Sequence, residues 1–174
     1  MRKTIILLLI IGCFYLFVSN VMAEKVTIPD DALRIRVVPN SNSDYDQEIK
    51  GKVRGELEVT MYDMLKEADS SEEARSIIKD NLEQIKVDVG DVLKNNNYDK
   101  PFEVNFGYNY FPEKEYKGVT YDEGYYESLL VTLGEGKGDN WWCVLFPPLC
   151  LIEADENTDV EYKSLVKELI DKYF

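Results

Sequence analysis

The chain has 174 residues, of which 45% are hydrophobic and 30% charged, so it is long enough to bury a core of ordinary size. The 33 Asp and Glu residues against 20 Lys and Arg residues give a formal charge of −13, which disfavours binding to nucleic acid. The chain contains no histidine, which excludes Ser-His-Asp and Cys-His catalysis and His-ligated zinc.

The first 23 residues have the pattern of a secretory signal peptide. Arg2 and Lys3 precede an apolar run over residues 5–18, and Val21 and Ala23 occupy the small-residue positions of a cleavage site. Because this 14-residue run is shorter than the ~20 residues that span a bilayer, we predict cleavage after Ala23. A retained N-terminal membrane anchor is the alternative, and both interpretations place the remainder of the chain outside the cytoplasm.

The next two elements differ in hydrophobic period. Residues 33–38 alternate as a half-buried strand does, and the polar residues 39–43 end it. Gly51 and Gly55 would each weaken the helix that follows by up to about 1 kcal/mol, so we expect close packing there. That helix is predicted from apolar residues at every fourth position: Ile49, Val53, Leu57, Met61 and Leu65.

A second helix is predicted to begin at a capping box formed by Ser70 and Glu73 and to end before residues 95–97, which are all Asn. Its apolar stripe is continuous, which favours one uninterrupted helix. The stripe consists of Ala74, Ile78, Leu82, Ile85, Val89 and Leu93.

The remaining elements are strands. Pro112 restricts the chain to an edge or turn, a short strand and turn are expected around Tyr116, and residues 125–133 are typical of a central strand. The clearest alternation places five side chains on one face, which we expect the helices to cover: Phe102, Val104, Phe106, Tyr108 and Tyr110.

The element order β-α-α-β-β-β predicts an α+β domain over residues 24–152, with one sheet of about four strands and two long helices packed on one face. Residues 153–174 are predicted to form a linker and a C-terminal helix, with a capping box at Thr158 and Glu161.

The cysteines agree with export. Cys13 lies in the predicted signal peptide, so the secreted part keeps the pair Cys143 and Cys150. A disulfide is the prediction for an extracytoplasmic protein, and two buried free thiols are the alternative.

Two segments resemble ligand sites but lack required residues. In the Gly-rich residues 134–138, Lys137 is not followed by the Ser or Thr of a phosphate loop, so we predict a flexible loop that presents Glu135 and Lys137. In residues 155–161, Val160 stands where a calcium loop requires Gly. We therefore predict neither a metal nor a cofactor.

Residues 141–150 combine aromatic, proline and cysteine residues in an unusual way. Because Pro147 and Pro148 disfavour a helix or central strand, two interpretations stay open. The segment packs under the sheet as core, or it is a disulfide-shaped loop that offers Trp141, Trp142 and Phe146 to another protein as anchors.

Residues 134–150, GEGKGDNWWCVLFPPLC, closely resemble the signature of the stage II sporulation protein R family. Residues 33–43 (LRIRVVPNSNS), 50–54 (KGKVR) and 110–114 (YFPEK) are also similar to that family. The resemblance covers residues 33–151, and we expect the helix beyond it to be a lineage extension.

This resemblance implies a sporulation signal rather than an enzyme. A member of the family is made in the forespore and exported into the space between the forespore and mother-cell membranes. There it is needed to activate a membrane-embedded aspartic protease, which processes a mother-cell pro-sigma factor. The expected partner is the extracytoplasmic part of that protease, and neither nucleic acid nor a small-molecule substrate is expected.

Two alternatives remain: an exported hydrolase that uses two carboxylates on septal peptidoglycan, and a structural exoprotein. For the signalling interpretation, the expected contact is the loop from residue 135 to 150, with a Cys143–Cys150 disulfide holding its geometry. The candidate partner-binding residues are Glu135, Lys137, Asn140, Trp141, Trp142, Phe146, Pro147 and Pro148.

Overall fold

The structure, a computed structural model, describes residues 31–116, 119–147 and 172. The predicted signal peptide, linker and C-terminal capping box lie outside these residues. In chain order the elements are β1 (Leu33–Val38), α1 (Asp44–Leu65), α2 (Ser71–Asp80), α3 (Leu82–Asn95), β2 (Phe102–Phe111), β3 (Lys114–Tyr116), β4 (Val119–Tyr121), β5 (Gly124–Leu133) and β6 (Trp141–Phe146).

Four strands form one mixed sheet in the order β2-β5-β1-β6. β1 runs parallel to β5 and antiparallel to β6, and β2 runs antiparallel to β5. β3 and β4 form a separate two-stranded sheet. The α+β class and the central position of β5 are thus confirmed.

The second predicted helix is divided in two. Ser70 accepts a hydrogen bond from Glu73 N at 3.2 Å and Glu73 accepts one from Asp69 N at 3.0 Å, which confirms the capping box. The break falls at Asn81, whose φ of −105° leaves the helical region and whose side chain donates to Ile77 O. The apolar stripe continues across the break because Ile78 and Leu82 are spaced as in a single helix, so periodicity alone does not reveal it.

The helices cover one face of the sheet, and the core lies between the two layers. Alternate residues of β1 and β5 face the helices, as a period of two requires. The main contributors to this core are Leu33, Ile35, Val37, Ile49, Val53, Leu57, Ile78, Ile85, Val89, Leu129, Val131 and Leu133.

The helices cover less of β2 than predicted. Val104 is buried and Phe102 and Phe106 pack against the core, but Tyr108 is 73% exposed and Tyr110 is 46% exposed. The aromatic face of β2 therefore extends beyond the helical layer.

The two glycines of α1 are open rather than closely packed, so the packing expected there is wrong. A Cβ atom built on Gly51 or Gly55 meets nothing within 4 Å. We expect Gly51→Ala to raise the free energy of unfolding by up to about 1 kcal/mol, because alanine loses less backbone entropy in a helix. Thermal denaturation measures this gain.

Gly138→Ala is the matched control for Gly51→Ala. A Cβ atom on Gly138 would lie 2.3 Å from Ser41 O, so the backbone must shift and we expect a loss of stability. A lower midpoint for Gly51→Ala would contradict the open environment of this helix position.

Candidate functional site

The two segments that carry most of the family resemblance meet at one end of the sheet. Since β1 and β6 are neighbours, residues 39–43 after β1 lie beside residues 134–140 before β6. Gly138 N donates to Pro39 O at 3.0 Å and Lys137 N donates to Asn40 O at 3.2 Å. The Asn40 side chain accepts from Glu135 N at 3.0 Å. These backbone bonds fix the position of the Gly-rich loop, in contrast to the flexible loop expected.

Glycine is required at three positions of this loop. Gly134 and Gly136 have φ values of 58° and 61°, a region that disfavours residues with a Cβ atom. Gly138 approaches the backbone of Ser41 too closely to accommodate one. The Gly-rich composition thus serves close backbone packing.

A buried carboxylate, that of Asp46, binds the segment that follows β1. It is 2% exposed and accepts hydrogen bonds from the Ser41 hydroxyl and from the Asn40 amide, the latter at 2.9 Å. The Lys100 ammonium lies 3.0 Å from its second oxygen. Asn40 therefore links the carboxylate to the Gly-rich loop.

Burial would raise the pKa of Asp46, but the hydrogen bonds from Ser41, Asn40, Lys100 and Ser43 outweigh it. The pKa of this carboxyl is held well below its ordinary value. Asp46 is thus ionised throughout the physiological range.

The exposed tip of the loop carries Glu135 and Lys137, whose side chains are 68% and 74% exposed and form an ion pair at 2.7 Å. This pair raises the pKa of Lys137 and lowers the pKa of Glu135. Both predicted residues are accessible, and their mutual contact adds little to stability.

Residues 141–146 form β6, the outermost strand of the sheet within the described part of the chain, and not the loop that one of the two interpretations assigned to them. The prolines follow the strand instead of interrupting it, and Pro147 lies in a bend. Trp141 faces the helices, where the Arg54 guanidinium lies 5.0 Å from its ring centroid. Together with Leu57, Met61, Tyr62 and Leu145, Trp141 lines an apolar groove beside α1.

Trp142 points to the opposite face of the sheet, into an aromatic cluster. Its ring makes edge contacts with Phe111 and Tyr121, with centroids 5.5 Å and 4.6 Å apart. The fully buried Arg34 lies in the same cluster, with its guanidinium carbon 3.2 Å from the Tyr126 ring centroid. The two tryptophans are each half-buried and bracket β6 from both faces.

The other predicted site residues differ in how deeply their side chains are buried. Asn140 is half-buried, whereas Phe146 is 1% exposed and belongs to the core rather than to an accessible anchor set. Cys143 is disulfide-bonded, and its predicted partner Cys150 lies outside the described residues, as does Pro148. The pairing of the two cysteines therefore stays a prediction.

Sequence reasoning did not single out three residues that shape the site: Arg34, Asn40 and Asp46. Alternation places Arg34 on the face opposite the core, and it does lie there, but its side chain is fully buried beside the rings of Phe111, Tyr126 and Trp142. Asn40 belongs to a turn segment, and turn composition alone does not reveal its contact with residue 135. The short polar segment before α1 is typical of a helix N-cap. Ser43 provides that cap by accepting a hydrogen bond from Asp46 N.

Two further features of the described residues bear on function. No group of three or more His, Cys, Asp or Glu side chains among them is arranged to hold a metal ion. None of the helices in the same part of the chain is long and apolar enough to cross a membrane.

Comparison with known proteins places the chain in a family. The family model described as "Stage II sporulation protein R (spore_II_R)" matches residues 29–170, which includes most of the C-terminal segment set aside as a lineage extension; that expectation is wrong. The stage II sporulation protein R of Bacillus subtilis (strain 168) is 37% identical over 171 residues, covering 92% of this chain and 76% of the relative. No solved structure matches the chain. The segments that meet around Asn40 and Trp141 are therefore those of a sporulation protein, and the chain belongs to the stage II sporulation protein R family.

Proposed function

We propose that this chain is an exported sporulation signal that activates a membrane-embedded aspartic protease from the space between the forespore and mother-cell membranes. Membership of the stage II sporulation protein R family supports a role in sporulation. The export, the receptor and the activation are the proposed part. The signal would act by binding the active arrangement of the protease more tightly than the inactive one.

The main observation in favour of this proposal is that hydrogen bonds to residues 39 and 40 hold the segment of accessible residues 135–142 in place. Backbone bonds to Pro39 and Asn40 fix the loop, and Asp46 fixes Asn40 in turn. A surface that is ordered before binding loses little conformational entropy when a partner docks. The half-buried tryptophans next to this loop are the residue type most enriched at binding hot spots.

The proposed contact comprises Glu135, Lys137, Asn140, Trp141 and Trp142. Phe146 is absent from it because its side chain is buried. A disulfide between Cys143 and Cys150 would add a covalent restraint beside Trp141 and Trp142, and it is part of the proposal.

Replacing Trp141 with Ala is expected to reduce processing of the pro-sigma factor about tenfold or more in sporulating cells, because truncating a hot-spot aromatic removes much of the binding free energy. Immunoblotting of the precursor and its product measures this loss. A Glu135→Ala/Lys137→Ala variant tests the same surface at two exposed positions whose change costs little stability.

Tyr125→Ala is the matched control, since Tyr125 is a 72% exposed aromatic residue at the far end of the sheet. It should leave processing unchanged. Normal processing by both contact variants, at wild-type protein levels, would refute the proposed contact.

A further inference from the structure

The segment of residues 50–54, KGKVR, resembles the family but has no role in the proposed contact. It lies in the first half of α1, and its two outer residues, Lys50 and Arg54, are four positions apart. Gln47 precedes Lys50 by three positions, so the three polar side chains lie along one side of the helix. We call Gln47, Lys50 and Arg54 the polar stripe of α1.

The polar stripe helps to hold both backbone groups of Asp139, which lies two residues before β6. The Lys50 ammonium donates a hydrogen bond to Asp139 O at 3.0 Å. Asn42 Oδ1 accepts one from Asp139 N at 2.6 Å and another from Gln47 Nε2 at 3.1 Å. Gln47 Oε1 in turn accepts from Lys50, which joins these contacts into one network. The start of β6 is therefore fixed from α1 and from the turn before it.

The third member of the polar stripe lies against the first residue of β6. The Arg54 guanidinium carbon lies over the Trp141 ring, 5.0 Å from its centroid, and Arg54 Nε donates to Glu58 at 2.9 Å. The ion pair with Glu58 holds the guanidinium in place, and a cation over an indole ring is favourable even at an exposed site. The half-buried Trp141 is thus held in one orientation before a partner binds.

The Lys50 ammonium is partly withdrawn from water. Burial is the largest influence on its pKa and lowers it, Asp139 raises it, and repulsion from Arg54 and Lys114 lowers it further. Hydrogen bonds from a charged donor are strong, and they are stronger where water is partly excluded. Lys50 therefore restrains Asp139 more firmly than a fully exposed lysine would.

We propose that Lys50 and Arg54 are positioning residues for the receptor contact, in which Lys50 fixes the chain at Asp139 and Arg54 fixes the ring of Trp141. This inference rests on the proposed function, because it specifies how the site is kept ready for the protease. A side chain that is ordered in advance loses less conformational entropy on binding. The competing interpretation is that the two cations themselves contact acidic groups of the protease.

The test compares two double variants with the same change in net charge. Lys50→Met/Arg54→Met removes both cations and keeps unbranched side chains. Lys66→Met/Lys86→Met is the matched control. Lys66 also combines an exposed ion pair with an aromatic contact, since its ammonium lies 5.9 Å from the Tyr62 centroid, and Lys86 forms an exposed ion pair. Circular dichroism and thermal midpoints establish that both variants fold.

The first measurement reports on Trp141 without the receptor. The chain has two tryptophans, so Trp142→Phe leaves Trp141 as the only one. In this background Lys50→Met/Arg54→Met should raise the acrylamide quenching constant of Trp141 about twofold and lower its fluorescence anisotropy, because the ring loses the cation that covers it. The control pair of substitutions should change neither quantity. Unchanged quenching and anisotropy after loss of both cations would overturn the proposal.

The second measurement is binding to membranes that contain or lack the protease, with the full chain purified from the producing cells and Trp142 intact. We expect wild-type binding to require the protease and Lys50→Met/Arg54→Met to bind about tenfold more weakly, because Trp141 must then be ordered during binding. The control should bind like the wild type. Lys50→Arg/Arg54→Lys keeps a donor for Asp139 O and a cation at the ring, so it should bind within about threefold of the wild type.

The two measurements together separate positioning from direct contact. Weaker binding by Lys50→Met/Arg54→Met without a change in Trp141 fluorescence would assign the cations to direct contact and overturn the proposal. Changed fluorescence with wild-type binding, or an equal loss of binding in the control, would overturn it as well. Failure of the wild type to bind protease-containing membranes would instead refute the proposed function, and the fluorescence of Trp141 would still test whether the two cations hold its ring.

Discussion

Asp46→Asn is expected to lower the free energy of unfolding by about 3 kcal/mol at neutral pH, the low end for removing one partner from a buried ion pair, because Lys100 is 37% exposed. The amide cannot accept hydrogen bonds from Ser41, Asn40 and Lys100 as the carboxylate does. Asn40 would then be held less firmly against Glu135 N. Chemical denaturation measures the loss, and processing in cells should decline with it.

The stabilisation by Asp46 also depends on pH. Its folded-state pKa is lowered from the value near 4 of an unfolded chain, so the stabilisation is fully present above about pH 4 and decreases as the pH falls below it. The Asp46→Asn variant has no carboxyl group at this position, so its free energy of unfolding should fall less as the pH decreases below about 4. Asp63→Asn is the control, because Asp63 is 63% exposed and its pair with Lys66 should change stability by less than about 1 kcal/mol. Equal effects of the two substitutions would contradict the role assigned to Asp46.

Arg34→Lys is expected to cost about 2 kcal/mol, although the charge is kept, because a desolvated cation–π contact is worth about that much. The planar guanidinium stacks on the Tyr126 ring at 3.2 Å, with Phe111 and Trp142 at 5.5 Å and 5.6 Å. A lysine ammonium is compact and strongly hydrated, so it cannot replace this stacking. Thermal and chemical denaturation measure the difference.

Arg54→Lys is the matched control for Arg34→Lys. Arg54 also lies over a tryptophan, 5.0 Å from the Trp141 centroid, but its side chain is 47% exposed. An exposed cation–π contact contributes about 0.5–1 kcal/mol, and lysine retains part of it. Equal losses in the two variants would show that burial of Arg34 among the rings is not the source of its contribution.

Local patterns in the sequence predicted the elements well where one periodicity dominates. The alternation in β2 and the stripe of α1 both correspond to observed elements. The break at Asn81 was not predicted, because the apolar spacing from Ile78 to Leu82 fits one helix as well as two. The exposure of Tyr108 was not predicted, because alternation shows which face of the sheet a residue lies on but not how far the helical layer extends over that face.

The site was predictable in its residues but less so in its form. The family resemblance pointed to residues 134–150, and the accessible Glu135 and Lys137 lie where expected. The strand conformation of residues 141–146 was not predicted, because Pro147 and Pro148 disfavour regular structure and their effect was extended to all of residues 141–150. The burial of Asp46 depends on Lys100, a contact between distant residues that no local pattern encodes.

The position of β1 in the sheet has a consequence for folding. This strand is made early in the chain, yet its hydrogen-bonding partners are residues 128–132 on one side and 141–146 on the other. Contacts between such distant segments form slowly, because a long loop must close before any bond is gained. The sheet therefore cannot assemble around β1 until nearly the whole chain has been synthesised, and a chain that ends before β5 leaves its first strand without neighbours.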